Sequence, residues 1–279
     1  MNNIITRIVN SRYWGIIRVT RLNTALIIGL IVFIPWTIYS GDAYSAIIMA
    51  FPFLFVSMGA FAFNDVHDIE KDKLSKPHRP LPRGIITVDT VKRIGVICYS
   101  LYVFSCYFAV NSLLNLLIYA ITFVGCVSYN LVLRKVAILK VFITALVSSM
   151  PIILVVTAFK GMIYLPLVIA AMFFILAREL LMDIRDMKAD SANSMITIPI
   201  RIGERKAFIT ALFLFAFAFL MLLPVVFTQY STLRFLLLIL VAITTFISIR
   251  LWINDTCYTR RVAIMVLWIP MLLSLSITI

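Results

Sequence analysis

Charge is scarce in this sequence, and acid is scarcer. Of 279 residues only 12 are Asp or Glu and 2 are His, while 63% are hydrophobic and the mean hydropathy is +1.06. A soluble domain of this length cannot cover itself with so little polar surface. The four cysteines, Cys98, Cys106, Cys126 and Cys257, form no C-x-x-C pair and lie in or beside apolar segments. That spacing supports neither a disulfide framework nor a zinc site, and they read as small buried hydrophobes. The apolar runs do not alternate with polar residues, which argues against a barrel. They are continuous and long enough to cross a bilayer, and in lipid such runs must be helical to satisfy their own amides. No cleavable signal pattern precedes the first run. Arg7, Arg12, Arg18 and Arg21 stand ahead of it, and it reads as a retained span.

What charge there is falls into a pattern. The sequence divides into nine spans near 22–41, 44–63, 91–110, 113–131, 137–158, 162–181, 207–227, 232–251 and 262–278. The segments between them then alternate sides. One side receives 23 of the 25 basic residues; the other receives only Lys160 and Arg234. The positive-inside rule makes the rich side cytoplasmic, with the N-terminus inside and the C-terminus outside. The net charge of +13 is therefore a topology signal rather than a nucleic-acid surface. The expected fold is one all-α integral membrane domain over residues 1–279, a nine-helix bundle in a prokaryotic cytoplasmic membrane, with its long loops in the cytoplasm.

Ten of the twelve acidic residues lie in or next to the two long cytoplasmic connections, near 64–90 and 182–206. They repeat one spacing. Asp65, Asp68 and Asp72 read D-x2-D-x3-D, and so do Asp183, Asp186 and Asp190, 118 residues later. On a helix, steps of three and four keep three carboxylates within roughly 60° of one another. Glu179 falls on the second of these faces. Each motif closes an even-numbered span, the second and the sixth, which points to a duplicated four-helix unit plus one helix. Hydrated carboxylate faces suit Mg²⁺, which takes oxygen ligands and bridges them to phosphate oxygens. One such cluster alone reads more often as a solvated helix end; two with matching spacing on one side of a membrane argue for a metal–diphosphate site. Between the motifs, Lys76-Pro77-His78-Arg79-Pro80-Leu81-Pro82-Arg83-Gly84 reads equally well as a phosphate-contacting loop and as a surface attracted to anionic lipid.

Taken together the motifs resemble the UbiA superfamily of intramembrane prenyltransferases. The resemblance rests on Asn64-Asp65-x2-Asp68-x3-Asp72 followed by Arg79-Pro80-Leu81-Pro82, and on Arg178-Glu179-x3-Asp183-x2-Asp186-x3-Asp190 followed by Thr197-Ile198-Pro199 and Gly203. It extends to Tyr129-Asn130 with Arg134-Lys135 and to Arg21-Leu22-Asn23. It implies a Mg²⁺–diphosphate site held by Asn64, Asp65, Asp68 and Asp72 on one side and Asp183, Asp186 and Asp190 on the other. Asp68, Asp72, Asp186 and Asp190 would carry the catalysis. Asn23, Asn64, Arg79, Tyr129, Arg134 and Lys135 would bind the diphosphate, and the prenyl tail would lie among the helices. The implied reaction moves an isoprenoid chain from an allylic diphosphate to an aromatic, quinone-precursor or lipid-alcohol acceptor. No obligatory protein partner is implied.

The sequence departs from the family pattern at Ser191 and Ser194, where arginine and glycine are common, at Arg83, where a small residue is common, and at Leu22 in place of a proline. A terpene cyclase on the same scaffold would use the same metal site and quench the cation internally. A transporter is the competing class, but acids gathered at one mouth, with almost no charge at mid-depth, argue against an ion path.

Overall fold

A computed structural model describes residues 11–131, 136–160, 165–228 and 232–253. The described chain is helical throughout its ordered elements. In order these are α1 (Arg12–Val19), α2 (Leu22–Ser40), α3 (Ala43–His67), α4 (Ile69–Ser75), α5 (Val88–Ala109), α6 (Leu113–Leu131), α7 (Ala137–Val155), α8 (Leu165–Ala192), α9 (Ile198–Ile202), α10 (Glu204–Thr228) and α11 (Thr232–Ile253). Eight of them (α2, α3, α5, α6, α7, α8, α10 and α11) are long and apolar enough to cross a membrane. They correspond to the first eight expected spans; the ninth, 262–278, lies outside the described residues.

Two helices run further than hydropathy indicated. The second expected span stops near 63, but α3 continues to His67; the sixth stops near 181, but α8 continues to Ala192. The reason is the acidic motifs themselves. Their polar faces emerge from the apolar layer as continuations of the same helices, so a hydropathy window ends before the helix does. Pro166 sits in the first turn of α8, while Pro151 and Pro224 lie inside α7 and α10. A single π-helical turn, Val156–Lys160, follows Pro151 and ends α7.

The bundle has two packing centres. α3 packs chiefly on α5 and α2, and α8 chiefly on α10 and α7. The first core gathers Phe53, Tyr102, Tyr119 and Leu154; the second gathers Ile152, Leu167, Ile175 and Leu222. A small third cluster, Val19, Ala62, Leu81, Ile86 and Val91, sits under the loop 76–87. It pins that loop over the ends of α3 and α5.

α3 and α5 approach closely through two glycines. A Cβ on Gly59 would lie 2.6 Å from the Tyr99 ring, and one on Gly95 would lie 2.6 Å from the Phe63 ring. Gly59 and Phe63 are one turn apart on α3, as Gly95 and Tyr99 are on α5, so each ring covers the other helix's glycine. The two rings stack at 5.4 Å. Small residues at a membrane helix crossing allow this kind of contact, which lipid alone would not drive. Gly59→Ala or Gly95→Ala should therefore force the helices apart and lower stability by about 1–3 kcal/mol each. Thermal unfolding of the purified protein in detergent checks this, and an unchanged melting temperature would contradict the proposed contact.

Candidate active site

The first acidic motif is not one helical face. α3 ends where the Asp68 amide donates to the Asn64 carbonyl at 2.9 Å. Asp68 itself leaves the helical region (φ −94°, ψ 9°), and α4 starts at Ile69. Asp65 therefore sits on the last turn of a spanning helix and Asp72 on a short separate one. They still converge, because Nη1 of Arg79 donates to Asp65 Oδ1 at 3.0 Å and also to Asp72 Oδ2. The break at Asp68 turns α4 back over the mouth of the bundle. Asn64 remains beside Asp68, donating from Nδ2 to Oδ2 at 3.1 Å. The second motif does follow the expected geometry, with Asp183, Asp186 and Asp190 all on the uninterrupted α8.

The motifs come together through cations. Lys76 lies 3.1 Å from Asp186 and 3.7 Å from Asp72, and Lys71 pairs with Asp190. Both lysines leave the α4 segment and reach α8. Arg185 grips its neighbour Asp186 through one guanidinium edge, donating from Nε to Oδ1 at 2.7 Å and from Nη2 to Oδ2 at 2.8 Å. Arg178 donates to Glu179 at 2.7 Å. Arg21 adds a further link, with Nη2 3.1 Å from Asp65 Oδ1. It reaches there from a left-handed backbone (φ 45°) between α1 and α2, and its guanidinium lies 4.7 Å from the Phe61 ring. Lys140 on α7 pairs with Asp183.

Burial explains why so many cations are recruited. Asp190 is 0% exposed, Asp72 2%, Asp183 3% and Asp65 4%. A carboxylate taken out of water without a counter-charge costs several kcal/mol, so each of these has a cation in contact. The cations are constrained as well. Burial pushes the Lys76 ammonium below the ordinary lysine range, and Asp186 pulls it only partly back.

Not every expected residue joins the cluster. Asn23 is exposed on the first turn of α2, and the neighbouring Arg21 supplies the contact instead. Tyr129, at the end of α6, lies within electrostatic reach of Lys140, Glu179, Asp68 and Asp183. Arg134 and Lys135 lie outside the described residues. Ser194, at one of the departures from the family pattern, has a left-handed backbone (φ 55°), the conformation glycine adopts most easily. The motif spacing points to none of Lys71, Lys140 and Arg185, and Lys76 stands out in the sequence only as the first residue of the loop 76–84. Lys76 had a usable signal, standing four residues after Asp72, and Lys140 had another, a lone cation within an apolar run.

The donor chemistry suits a hard divalent cation. The inward-facing acidic groups offer only oxygen. Asp183 Oδ2 and both Asp190 oxygens are buried and accept no hydrogen bond, although Lys71 ion-pairs with Asp190. Such oxygens can take an ion. Among the described residues, no three acidic, histidine or cysteine side chains stand close enough together to share one ion, because lysine and arginine side chains now separate them. A pocket of about 290 Å³ opens beside the cluster, lined by His67, Asp68, Glu70, Lys71, Asn193, Ser194 and Met195.

The sequence profile of the UbiA prenyltransferase family matches residues 25–269. The chain belongs to that family. A digeranylgeranylglyceryl phosphate synthase from Sulfolobus acidocaldarius is 33% identical over 169 residues, covering 57% of this chain and 59% of that protein. One from Methanoculleus marisnigri is 31% identical over 211 residues, covering 72% of each. The solved structure of a UbiA homolog from Archaeoglobus fulgidus, bound to GPP and Mg²⁺, superposes with a TM-score of 0.65 at 14% identity, covering 95% of this chain and 99% of that one. The family fold is thus an all-helical membrane bundle, as the apolar runs indicated.

Arg79 holds two buried carboxylates at once. Arg79→Ala should lower stability by about 3 kcal/mol, the scale for breaking a buried ion pair. Arg79→Lys should recover only part of it, since an ammonium lacks the guanidinium fork. Detergent melting curves of the three proteins decide the matter, and equal stability of Arg79→Ala and wild type would remove Arg79 from this role.

Proposed function

We propose that this protein is a Mg²⁺-dependent intramembrane prenyltransferase. It moves an isoprenoid chain from an allylic diphosphate to the hydroxyl of a glycerol-phosphate-type lipid and releases diphosphate. The observation that carries this reading is the convergence of two acidic motifs and at least six cations at one end of a membrane bundle. The names of the relatives favour a glyceryl phosphate acceptor over an aromatic one. The A. fulgidus homolog, bound to GPP and Mg²⁺, favours the donor class and the metal.

In this reading Asn64, Asp65, Asp68 and Asp72 hold the metal on one side, and Asp183, Asp186 and Asp190 on the other. Bound Mg²⁺ would neutralise charge on the departing diphosphate. Arg79, Lys76 and Lys71, released from their carboxylates, turn to the phosphate oxygens. Arg134, Lys135 and Tyr129 are proposed to join them. The C1–oxygen bond to diphosphate breaks as C1 becomes cation-like; the acceptor oxygen bonds to C1, and its hydroxyl proton passes to a carboxylate of the cluster. The prearranged charges stabilise the departing anion in a site poor in water. The apolar walls keep water from intercepting C1.

Membranes containing the protein, given allylic diphosphates of several chain lengths, should release diphosphate only with Mg²⁺. The Asp68→Asn, Asp186→Asn double variant should lose at least about a hundredfold in rate, as removal of charge-stabilising groups does. Mass spectrometry of the lipid extract should show donor plus acceptor. A hydrocarbon or terpene alcohol would indicate a cyclase, and no release in folded protein would overturn the enzymatic reading.

We further place the cluster on the cytoplasmic face of a prokaryotic membrane, by the positive-inside rule. In a cysteine-free background, a cysteine at position 83 should label only from the cytoplasmic side and one at position 42 only from the other. The reverse pattern would invert the topology.

A further inference from the structure

The helix α1 has three faces. At helical spacing Gly15 and Val19 fall on one side, Tyr13, Ile16 and Ile17 on a second, and Trp14 with Arg18 on a third. The first side is buried against the protein. Val19 joins the small cluster under the loop 76–87, and a Cβ on Gly15 would lie 3.5 Å from Ile85 and 3.8 Å from Pro80. The second side is apolar and open, with Tyr13 80%, Ile16 36% and Ile17 40% exposed. The third carries a cation, the Arg18 guanidinium standing 5.4 Å from the centre of the Trp14 ring.

The place of α1 gives these faces a meaning. With 8 residues it is far too short to span. It ends just before α2, whose exposed Leu26, Leu30, Ile34 and Ile38 mark a lipid-facing stripe. It therefore lies where hydrocarbon gives way to headgroups, the level that suits tyrosine, tryptophan and arginine. Its surroundings are basic. Exposed Arg12 and Arg18 are joined by exposed Arg83 in the loop beneath, and by exposed Lys92 and Arg93 near the start of α5, which α1 touches. Asp89 is the only carboxylate in the segments 11–20 and 80–93. The positive-inside rule asks for cations on this side of the membrane. It does not ask for an outward apolar face on a helix that stays out of the bundle, nor for arginine at 83, where the family commonly has a small residue. Cations around open apolar side chains complement an anionic phospholipid, whose phosphate lies above its acyl chains.

We propose that α1 is an interfacial helix that seats Tyr13, Ile16 and Ile17 in the adjoining leaflet, and that with the loop and the start of α5 it forms a binding surface for anionic phospholipid headgroups through Arg12, Arg18, Arg83, Lys92 and Arg93. The surface is separate from the acidic cluster and needs only that the bundle sits in a membrane. It nevertheless bears on the site. Pro80, against which Gly15 rests, follows Arg79, and α1 leads directly into Arg21. These are the two arginines that hold Asp65, so lipid bound at α1 steadies the backbone that presents them.

The experiment uses the full chain in vesicles of phosphatidylcholine mixed with phosphatidylglycerol, and has two readouts. In a cysteine-free background, Ile17→Cys carries a nitroxide whose EPR relaxation reports depth. It should be more accessible to oxygen, which dissolves in lipid, than to a water-soluble nickel chelate. The reverse order would place the face in water and overturn the proposal, leaving that face to a soluble partner. The second readout is the EPR spectrum of spin-labelled phosphatidylglycerol, compared with spin-labelled phosphatidylcholine, at the protein surface. The wild type should prefer the anionic lipid. Arg18→Gln, Arg83→Gln should lose at least about fivefold of that preference, the scale of one basic residue's attraction to an anionic surface. Arg205→Gln, Lys206→Gln removes the same charge from exposed positions at the start of α10 and should lose far less. Equal losses from the two variants would mean a diffuse field rather than a site at α1, and would overturn the assignment, as would a wild type with no preference. All four positions are exposed, so neither double variant removes a packing contact of the core, and gel filtration checks that each folds. Neither readout involves prenyl transfer, so failure here leaves the proposed reaction standing.

Discussion

A carboxylate at the edge of a hydrocarbon layer must have a cation within reach. Water screens poorly there, and an unpaired charge costs more than any single packing contact returns. Much of the cytoplasmic end of this protein can be read from that constraint. The helices α3 and α8 carry buried acids beyond the apolar layer, and the chain answers with a short helix, a proline-rich turn and a strained arginine that bring cations over them. Arg21 adopts a left-handed backbone (φ 45°) that an L-residue takes only at a cost of about 1–2 kcal/mol, and its contact with Asp65 offsets that cost.

The same constraint separates stable scaffold from exchangeable parts. All seven acidic side chains at the site except Asp68 and Asp72 lie within spanning helices, Asp68 being the residue that ends α3. Three of the cations that face them, Lys71, Lys76 and Arg79, lie on α4 or in the turn after it. In the proposed reading, a polyanionic substrate arriving with a metal ion would compete for both partners at once, offering phosphate to the lysines and arginine and metal to the acids, with little backbone having to move within the membrane.

Much of this was readable from the residues. Apolar run length located the eight described spans, because lipid leaves a polypeptide few alternatives to helix. Matched acidic spacing picked out the two segments that Lys71 and Lys76 bring together. Other features depended on tertiary contacts that local pattern does not contain. The motif 65–72 has helical spacing, yet α3 breaks at Asp68, since α4 must turn inward to place Lys71 and Lys76 on α8. Asn23 had the right neighbourhood in sequence, but the turn at Arg21 presents the arginine and leaves the asparagine exposed. Lys140 stands three positions inside its span, and its partner Asp183 lies 43 residues away, beyond any local window.

The reciprocal fit of Gly59 under Tyr99 and Gly95 under Phe63 has a mechanical consequence. With a ring from each helix seated on the backbone of the other, α3 and α5 cannot slide along one another without lifting both rings. They respond to changes in bilayer thickness as one plank, by tilting. Asp65 stands two residues beyond Phe63 at the end of that plank, and the loop 76–87 is anchored to the same pair through Ala62 and Val91. The acid and the arginine that holds it therefore ride together, and the spacing between them is insulated from the lipid composition of the surrounding membrane.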